Sequence, residues 1–301
     1  MRVMRWVGRG VAIVLALAAV TVGGVYARSE WVLTRRADAP PRAAVHVAAD
    51  SATLALGRKL TTTNGCTDCH GASLEGKVFA DDPAFGRLVA SNLTAGDGGV
   101  LASYDDRALD AAIRDGVGVD GRKLMIMPSN EFAGLADADV AAIIADIRAR
   151  APRNNRLPTM ALRPVARALV VAGKLPVPYD VIDHRRATLA VAPPAGSLAQ
   201  GKYAAASCVG CHGANYTGGQ IPGAPAGSPP AANLTSAGPI GQWTEAQFVQ
   251  LFRTGTRPDG TTLKPLMPWQ AFGQLSDAEL QGLYRYLRTL PVRPAASTTT
   301  D

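Results

Sequence analysis

The chain has 301 residues, 47% of them apolar, which is enough for two ordinary domains with buried cores. Its formal net charge is +7, unevenly spread: residues 32–150 hold 13 basic and 16 acidic groups, whereas residues 151–301 hold 14 basic and 7 acidic. No dense Lys/Arg run with interleaved aromatics occurs, which argues against nucleic acid as a partner, and long alternating β patterns are absent.

The N-terminus carries Arg2, Arg5 and Arg9, followed by 18 residues, 10–27, without a charge. That length is at the short end of what spans a bilayer, and the preceding arginines keep the start cytoplasmic. Trp6, Tyr26 and Trp31 flank the segment, where interfacial aromatics belong. A cleaved signal peptide ending at Val25-Tyr26-Ala27 is the competing reading. Tyr26 and the length of the apolar run favour a retained membrane anchor over residues 1–31. Either way the rest of the chain is exported. Residues 32–50, with Pro40 and Pro41, read as a tether, and His46 is a linker histidine within it.

A helix is predicted from about Asp50 or Ser51, bringing Leu54, Leu56 and Leu60 toward Cys66-Thr67-Asp68-Cys69-His70. Cys208-Val209-Gly210-Cys211-His212 repeats that pattern, preceded by a helix from Ser197. Both are C-x-x-C-H, the attachment signal for c-type haem. Two thiols add to the two vinyl groups of one porphyrin, and the histidine is held under the iron. The two motifs use all four cysteines. One Cys₄ zinc site would leave both histidines unexplained, and a thioredoxin-like motif needs a βαβ context that is missing. Gly57 and Gly201 fall inside the two helices, where glycine costs about 0.5–1 kcal/mol; a close helix crossing justifies the loss.

The motifs belong to an internal repeat. Asn92-Leu93-Thr94 matches Asn233-Leu234-Thr235, and Tyr104 matches Trp243. Residues 113–116 match 252–255, Asp120-Gly121 matches Asp259-Gly260, and Met127-Pro128 matches Met267-Pro268. Each half closes with a helix, the first carrying Val140, Ile143, Ile144 and Ile147, the second opening on a Ser276–Glu279 capping box. Pro152 and Pro291 stop them. Between the halves, residues 151–196 form a Pro/Arg-rich connector with no repeat partner. It holds seven basic residues against Asp180 and Asp183, a surface histidine at His184, and a short helix over 165–172. Residues 293–301 read as a disordered tail.

Each iron also needs a second axial ligand or an open position. The matched Met127 and Met267 supply one in each half, and His/Met ligation closes both irons to substrate, as electron transfer requires. Met125 lies two residues before Met127. By the register of the second half, where only Met267 precedes a proline, Met127 is the ligand and Met125 packs.

On these motifs the sequence resembles tandem dihaem c-type cytochromes, each half looking like a class I cytochrome c domain. The resemblance covers about 50–150 and 197–292. It implies an all-α fold: two tandem domains, 51–150 and 197–292, each a few helices around covalent haem c, behind an N-terminal transmembrane helix. It also implies that the first and last helices of each domain cross. Cofactor-binding residues are then Cys66, Cys69, His70 and Met127, and Cys208, Cys211, His212 and Met267. Both histidines and both methionines are iron ligands. Relatives of this kind move electrons in the periplasm from a dehydrogenase or quinol-side donor to soluble cytochrome c or a terminal oxidase, without catalysing a bond-making step. Two other readings are a dihaem cytochrome c peroxidase, which needs one iron open to peroxide, and a cytochrome subunit of an alcohol or aldehyde dehydrogenase complex. Such subunits usually carry three modules.

Overall fold

The computed structural model describes residues 2–221, 224 and 227–295. The tail expected from residue 293 therefore lies largely outside the described residues. The chain divides into two compact units, each discontinuous in sequence. One takes the residues up to Arg42, with Glu75–Asn130 and Ala151–His184. The other takes Ala43–Leu74, Glu131–Arg150 and the chain from Arg185 onward.

The first unit begins with α1 (Arg2–Thr34), whose apolar stretch is exposed along its length. Its helices continue with α4 (Asp106–Asp115), α7 (Pro164–Val171) and α8 (Pro178–Val181). The connector helix expected over 165–172 is α7, started by proline at its first turn, where a missing N–H costs nothing. A small antiparallel sheet is an addition to the helices expected: β1 (Lys77–Asp82), β2 (Gly86–Ala90) and β3 (Ala161–Leu162), in that order. The β1–β2 turn is closed by Asp82, whose Oδ1 accepts from the backbone N–H groups of Ala84 and Phe85 at 2.8 and 2.6 Å. With β3 only two residues long, hydrophobic periodicity has nothing to register. Leu88, Met125, Leu162, Ala166, Val170 and Val177 form the apolar core here, with Val32 and Leu33 of α1 packed against it.

The segment read as a tether is bound down. Ala37 N–H donates to Gly121 O at 2.9 Å, and Arg42 makes a two-pronged bond to buried Asp115 at 2.5 and 2.8 Å. His184 is also more engaged than a surface histidine. Its ring stacks on Tyr179 at 4.1 Å, its Nδ1 lies 3.2 Å from Asp115 Oδ1 and its Nε2 lies 2.9 Å from Tyr179 O.

The second unit holds α2 (Ser51–Thr63), α3 (Cys66–His70), α6 (Asp137–Ala149), α9 (Leu198–Ala205), α10 (Val209–His212), α11 (Glu245–Thr254), α12 (Trp269–Phe272) and α13 (Asp277–Thr289). Helix α5 (Ser129–Phe132) lies where the chain passes between units. The helix starts fall where the side chains dictate. Asp50 caps α2, Ser197 caps α9, and Ser276 with Glu279 makes the capping box of α13.

Two helix crossings organise this unit, α2 on α6 and α9 on α13. Both are built on the glycines singled out by sequence. A Cβ on Gly57 would stand 2.1 Å from Ala142 O, and one on Gly201 would stand 2.0 Å from Gly282 O. The obstacle is backbone in each case, so only a hydrogen-sized side chain permits the approach. Val140, Ile143, Ile144 and Ile147 of α6 are all buried, as the periodicity requires. Around α9 and α13, the core joins Ala205, Tyr216, Ile240, Phe248, Leu251, Phe252, Leu280, Leu283 and Leu287.

The recurring Asn-Leu-Thr triplets are clasps. Asn92 Nδ2 donates to Arg153 O at 2.7 Å, while Asn92 Oδ1 accepts from Thr94 N–H at 2.9 Å. Asn233 Nδ2 donates to Arg293 O at 2.8 Å, and its Oδ1 accepts from Thr235 N–H at 2.8 Å. Each clasp ties the covering loop to the strand of chain that leaves the closing helix. Arg293 is thus held in place although the sequence assigns it to a loose tail. Asn233→Ala should leave a buried N–H unpaired and lower stability by about 1–3 kcal/mol. A lower urea midpoint at unchanged m-value is the expected readout, and an unchanged midpoint would mean the clasp is ornamental.

Candidate functional site

The second C-x-x-C-H motif begins in a tight turn, Ala206–Cys208, and continues into α10. Three-residue spacing on a helical backbone sets Cys208 and Cys211 on one side. His212 follows, almost fully buried. Its Nδ1 lies 2.7 Å from Ala232 O. A carbonyl only accepts, so Nδ1 carries the proton and Nε2 presents its lone pair. Burial lowers the pKa of His212, with the Ala232 bond opposing, so the ring is neutral at neutral pH. A neutral imidazole with Nδ1–H fixed by a backbone carbonyl is the form that binds a metal through Nε2. Ala232 immediately precedes Asn233, so the clasp also steadies the carbonyl that orients this ring.

The first motif shares the helical spacing and the glycine exit. Helix α3 carries Cys66, Cys69 and His70, and ends on Gly71 at φ 85° and ψ 157°. Its counterpart after His212 is Gly213, at φ 75° and ψ 160°. These left-handed positions suit glycine and turn the chain sharply away from the histidine.

None of the four cysteines forms a disulfide. Burial pushes Cys66 and Cys208 up to about 12, although each residue keeps some surface exposure. Cys211 is raised too, by burial and then by the charge of Glu131. A zinc site or a redox-active C-x-x-C pair needs stabilised thiolates in an electropositive setting. The surroundings of Cys66, Cys208 and Cys211 do the opposite and disfavour the thiolate, which fits thioether formation with haem vinyl groups better than a zinc or redox pair. Glu131 reaches the same place: a Cβ on Gly210 would stand 2.5 Å from its Oε1.

The two Met-Pro turns repeat in backbone detail. Gly116 and Gly255 end α4 and α11 with φ of 67° and 69°. A short hairpin then returns, so that Leu124 N–H donates to Gly116 O and Leu263 N–H to Gly255 O, both at 2.7 Å. Met127 O accepts from Ser129 N–H at 2.8 Å, and Met267 O from Trp269 N–H at 2.8 Å. At Pro268, φ −79° and ψ 59° mark a tight turn about the proline. The second loop is one residue longer between Leu263 and its methionine than the first between Leu124 and Met127.

Cys208, Cys211, His212 and Met267 all fall in the second unit, and Met267 packs against the same core as Cys208 and Val209. Cys66, Cys69 and His70 belong to that unit as well, whereas Met127 belongs to the first. Met125 is buried among Leu88, Leu162 and Val170, and Met160 packs against that cluster.

The cytochrome c family model matches residues 54–149 and again 198–291. The chain belongs to the cytochrome c family. Its role is electron transfer and its cofactor is covalently bound haem c, which the donor set fits: thiols at C-x-x-C spacing outside any disulfide and, at His212, an imidazole oriented by a backbone carbonyl. This cytochrome is similar to the fructose dehydrogenase cytochrome subunit of Gluconobacter japonicus, 35% identical over 102 residues, covering 31% of this chain and 21% of that protein. It is also similar to the alcohol dehydrogenase (quinone) cytochrome c subunit of Gluconacetobacter polyoxogenes, 37% identical over 108 residues, covering 33% and 23%. The gluconate 2-dehydrogenase cytochrome c subunit of Pantoea cypripedii is 31% identical over 103 residues, covering 32% of this chain and 23% of that protein. The chain thus spans less than a quarter of the length of these relatives.

Sequence reasoning finds the cysteines, histidines and methionines by motif and repeat. It picks out the Asn-Leu-Thr triplets without assigning them work. Two contributors escape it: the Ala232 carbonyl, a main-chain group that any residue supplies, and Glu131, which has no repeat partner.

Proposed function

We propose that this cytochrome is a dihaem electron carrier, held at the bacterial inner membrane by α1 with its haem domains in the periplasm. It takes electrons from a dehydrogenase or quinol-side donor and passes them to a soluble cytochrome c or a terminal oxidase. The observation that carries the reading is the complete duplication of the site. Both C-x-x-C-H motifs, both Asn-Thr clasps and both Met-Pro turns recur, which supports two haems, His70/Met127 and His212/Met267 as axial pairs, and domains over 51–150 and 197–292. Haem c supplies a one-electron couple that cycles without a change of ligands. The protein's part is to orient each histidine, keep the thiols neutral until attachment, close the distal side with a thioether and exclude water.

The subunit reading has its own support, because the similar proteins are named as dehydrogenase subunits. On that reading the donor is a dehydrogenase bound to this chain. A peroxidase needs one iron open and an acid/base group beside it, and the matched Met-Pro turns speak for two closed irons.

Mild detergent extraction from native membranes tests these readings together. The denatured protein should show a c-type pyridine haemochrome at two haems per chain. A dehydrogenase should co-purify, and its substrate should reduce both haems. One haem per chain, or high-spin ferric iron with turnover of hydrogen peroxide, would overturn the carrier reading.

A further inference from the structure

The connector has no counterpart in the repeat, and α7 is its main element. Helix α7 is apolar on every side apart from Arg167. That charge is consumed internally: Arg167 bonds Ser29 Oγ and Glu30 Oε2, each at 2.9 Å, and its guanidinium lies 4.8 Å from the Tyr26 ring. Ala166 and Val170 are buried in the cluster that includes Val32 and Leu33 of α1. The remaining face is bare: Pro164, Val165, Ala168, Val171 and Ala172 are all exposed, Val165 by 47% and Val171 by 39%. A helix of a water-soluble domain places polar side chains there.

The direction of that bare face follows from its neighbours. Val32 and Leu33, which pack against the cluster holding Ala166 and Val170, lie about 9 Å further from the apolar stretch of α1 than Tyr26, whose ring lies against the Arg167 guanidinium. Turning α7 from its buried face to Arg167 therefore moves toward the end of α1 that is bare and apolar. Continuing in the same sense by roughly 40–100° reaches Val171, Pro164 and Ala168. Nearby, Trp31 is flanked by Arg28 and Arg35, whose guanidinium carbons lie 4.3 and 5.0 Å from its ring. An aromatic with arginines beside it is suited to the headgroup layer.

We propose that the outer face of α7 is a second membrane contact, seated in the interfacial layer of the bilayer that α1 enters. Acyl chains cover Val165, Ala168 and Val171, and anionic lipid headgroups meet Lys174 just beyond the helix. The connector then acts as a collar that fixes how the first unit stands on the membrane, which a lone helix on a loose tether does not do. This rests on the reading of α1 as a retained anchor.

The test uses the full-length, haem-loaded protein in nanodiscs of phosphatidylethanolamine and phosphatidylglycerol. The native cysteines are tied up as thioethers, so nitroxide labels are placed through Val14→Cys in the apolar stretch, Ala168→Cys on α7, and Ala237→Cys as an exposed reference. The haems are kept reduced and diamagnetic. Power saturation then compares access of oxygen, which partitions into lipid, with that of a water-soluble nickel chelate. The expected result is an oxygen-to-nickel ratio at position 168 several-fold above that at 237 and approaching that at 14. A lipid value at 14 with a water value at 168 overturns the collar and leaves the anchor standing. Water values at both positions overturn the anchor and the collar with it. A position 168 shielded from both reagents means that protein covers α7, which also overturns the proposal.

Discussion

Met127→Ala is expected to abolish the first haem's share of the long-wavelength charge-transfer band of Met-ligated ferric iron, while Met125→Ala leaves the band intact. Met125 is buried in the apolar core with Leu88, Leu162 and Val170, whereas Met127 is only partly buried. Met127 occupies the turn that recurs at Met267, down to the hydrogen bond onto its carbonyl. Loss of the thioether should also lower that haem's potential by on the order of 0.1–0.3 V, a fraction of the roughly 0.8 V that axial ligands span. Met125→Ala should instead cost about 2–5 kcal/mol of packing. The ferric near-infrared spectrum of each variant reads the ligation, redox titration followed at the visible haem bands reads the potential, and denaturant unfolding reads the packing cost. A band lost in Met125→Ala and kept in Met127→Ala would reassign the ligand; a band kept in both would point to Met160 or to a histidine.

Replacing Gly201 by alanine should destabilise the protein, against the ordinary trend. In an open helix interior, glycine to alanine gains about 0.5–1 kcal/mol. Here the new methyl would meet Gly282 O at 2.0 Å and Gly282 C at 2.6 Å, main-chain atoms that cannot swing aside. Overpacking of this kind costs about 1–3 kcal/mol and outweighs the propensity gain. Gly57→Ala meets Ala142 O in the same way. Gly134→Ala serves as the control, since nothing lies within 4 Å of its Cβ position. Denaturant unfolding of the three variants should lower the midpoint for the first two only. A neutral Gly201→Ala would mean that the helices of this crossing separate at little cost.

What is legible in the sequence is whatever the chemistry pins to a residue type or a period. C-x-x-C-H must carry those atoms at that spacing, the crossing glycines tolerate no substitute, and Asp50, Ser197 and Ser276 announce helix starts by their side chains. The repeat doubles each of these signals, and its register is what favours Met127 over Met125 as the proposed ligand. The sheet is not legible, because β3 contributes two residues and draws its pairing from a distant hairpin. Nor is the engagement of the segment around Arg42: prolines and charges describe a tether equally well when Asp115 waits elsewhere to bind it. His184 lacks a repeat partner, and its contact with Asp115 depends on chain brought together only by folding.

The Asn-Thr clasps also bear on how the protein is made. Asn92 closes on Arg153, and Asn233 closes on Arg293. A chain emerging N-terminus first has everything the first clasp needs once residue 153 is out, while the second waits for residue 293. Until then the covering loop next to Ala232 is not tied down, and His212 lacks the steadied carbonyl that fixes its ring. The two waits are nearly equal, 83 residues from His70 to Arg153 and 81 from His212 to Arg293, so each motif emerges well before its clasp can close and cofactor attachment meets a chain that is still open.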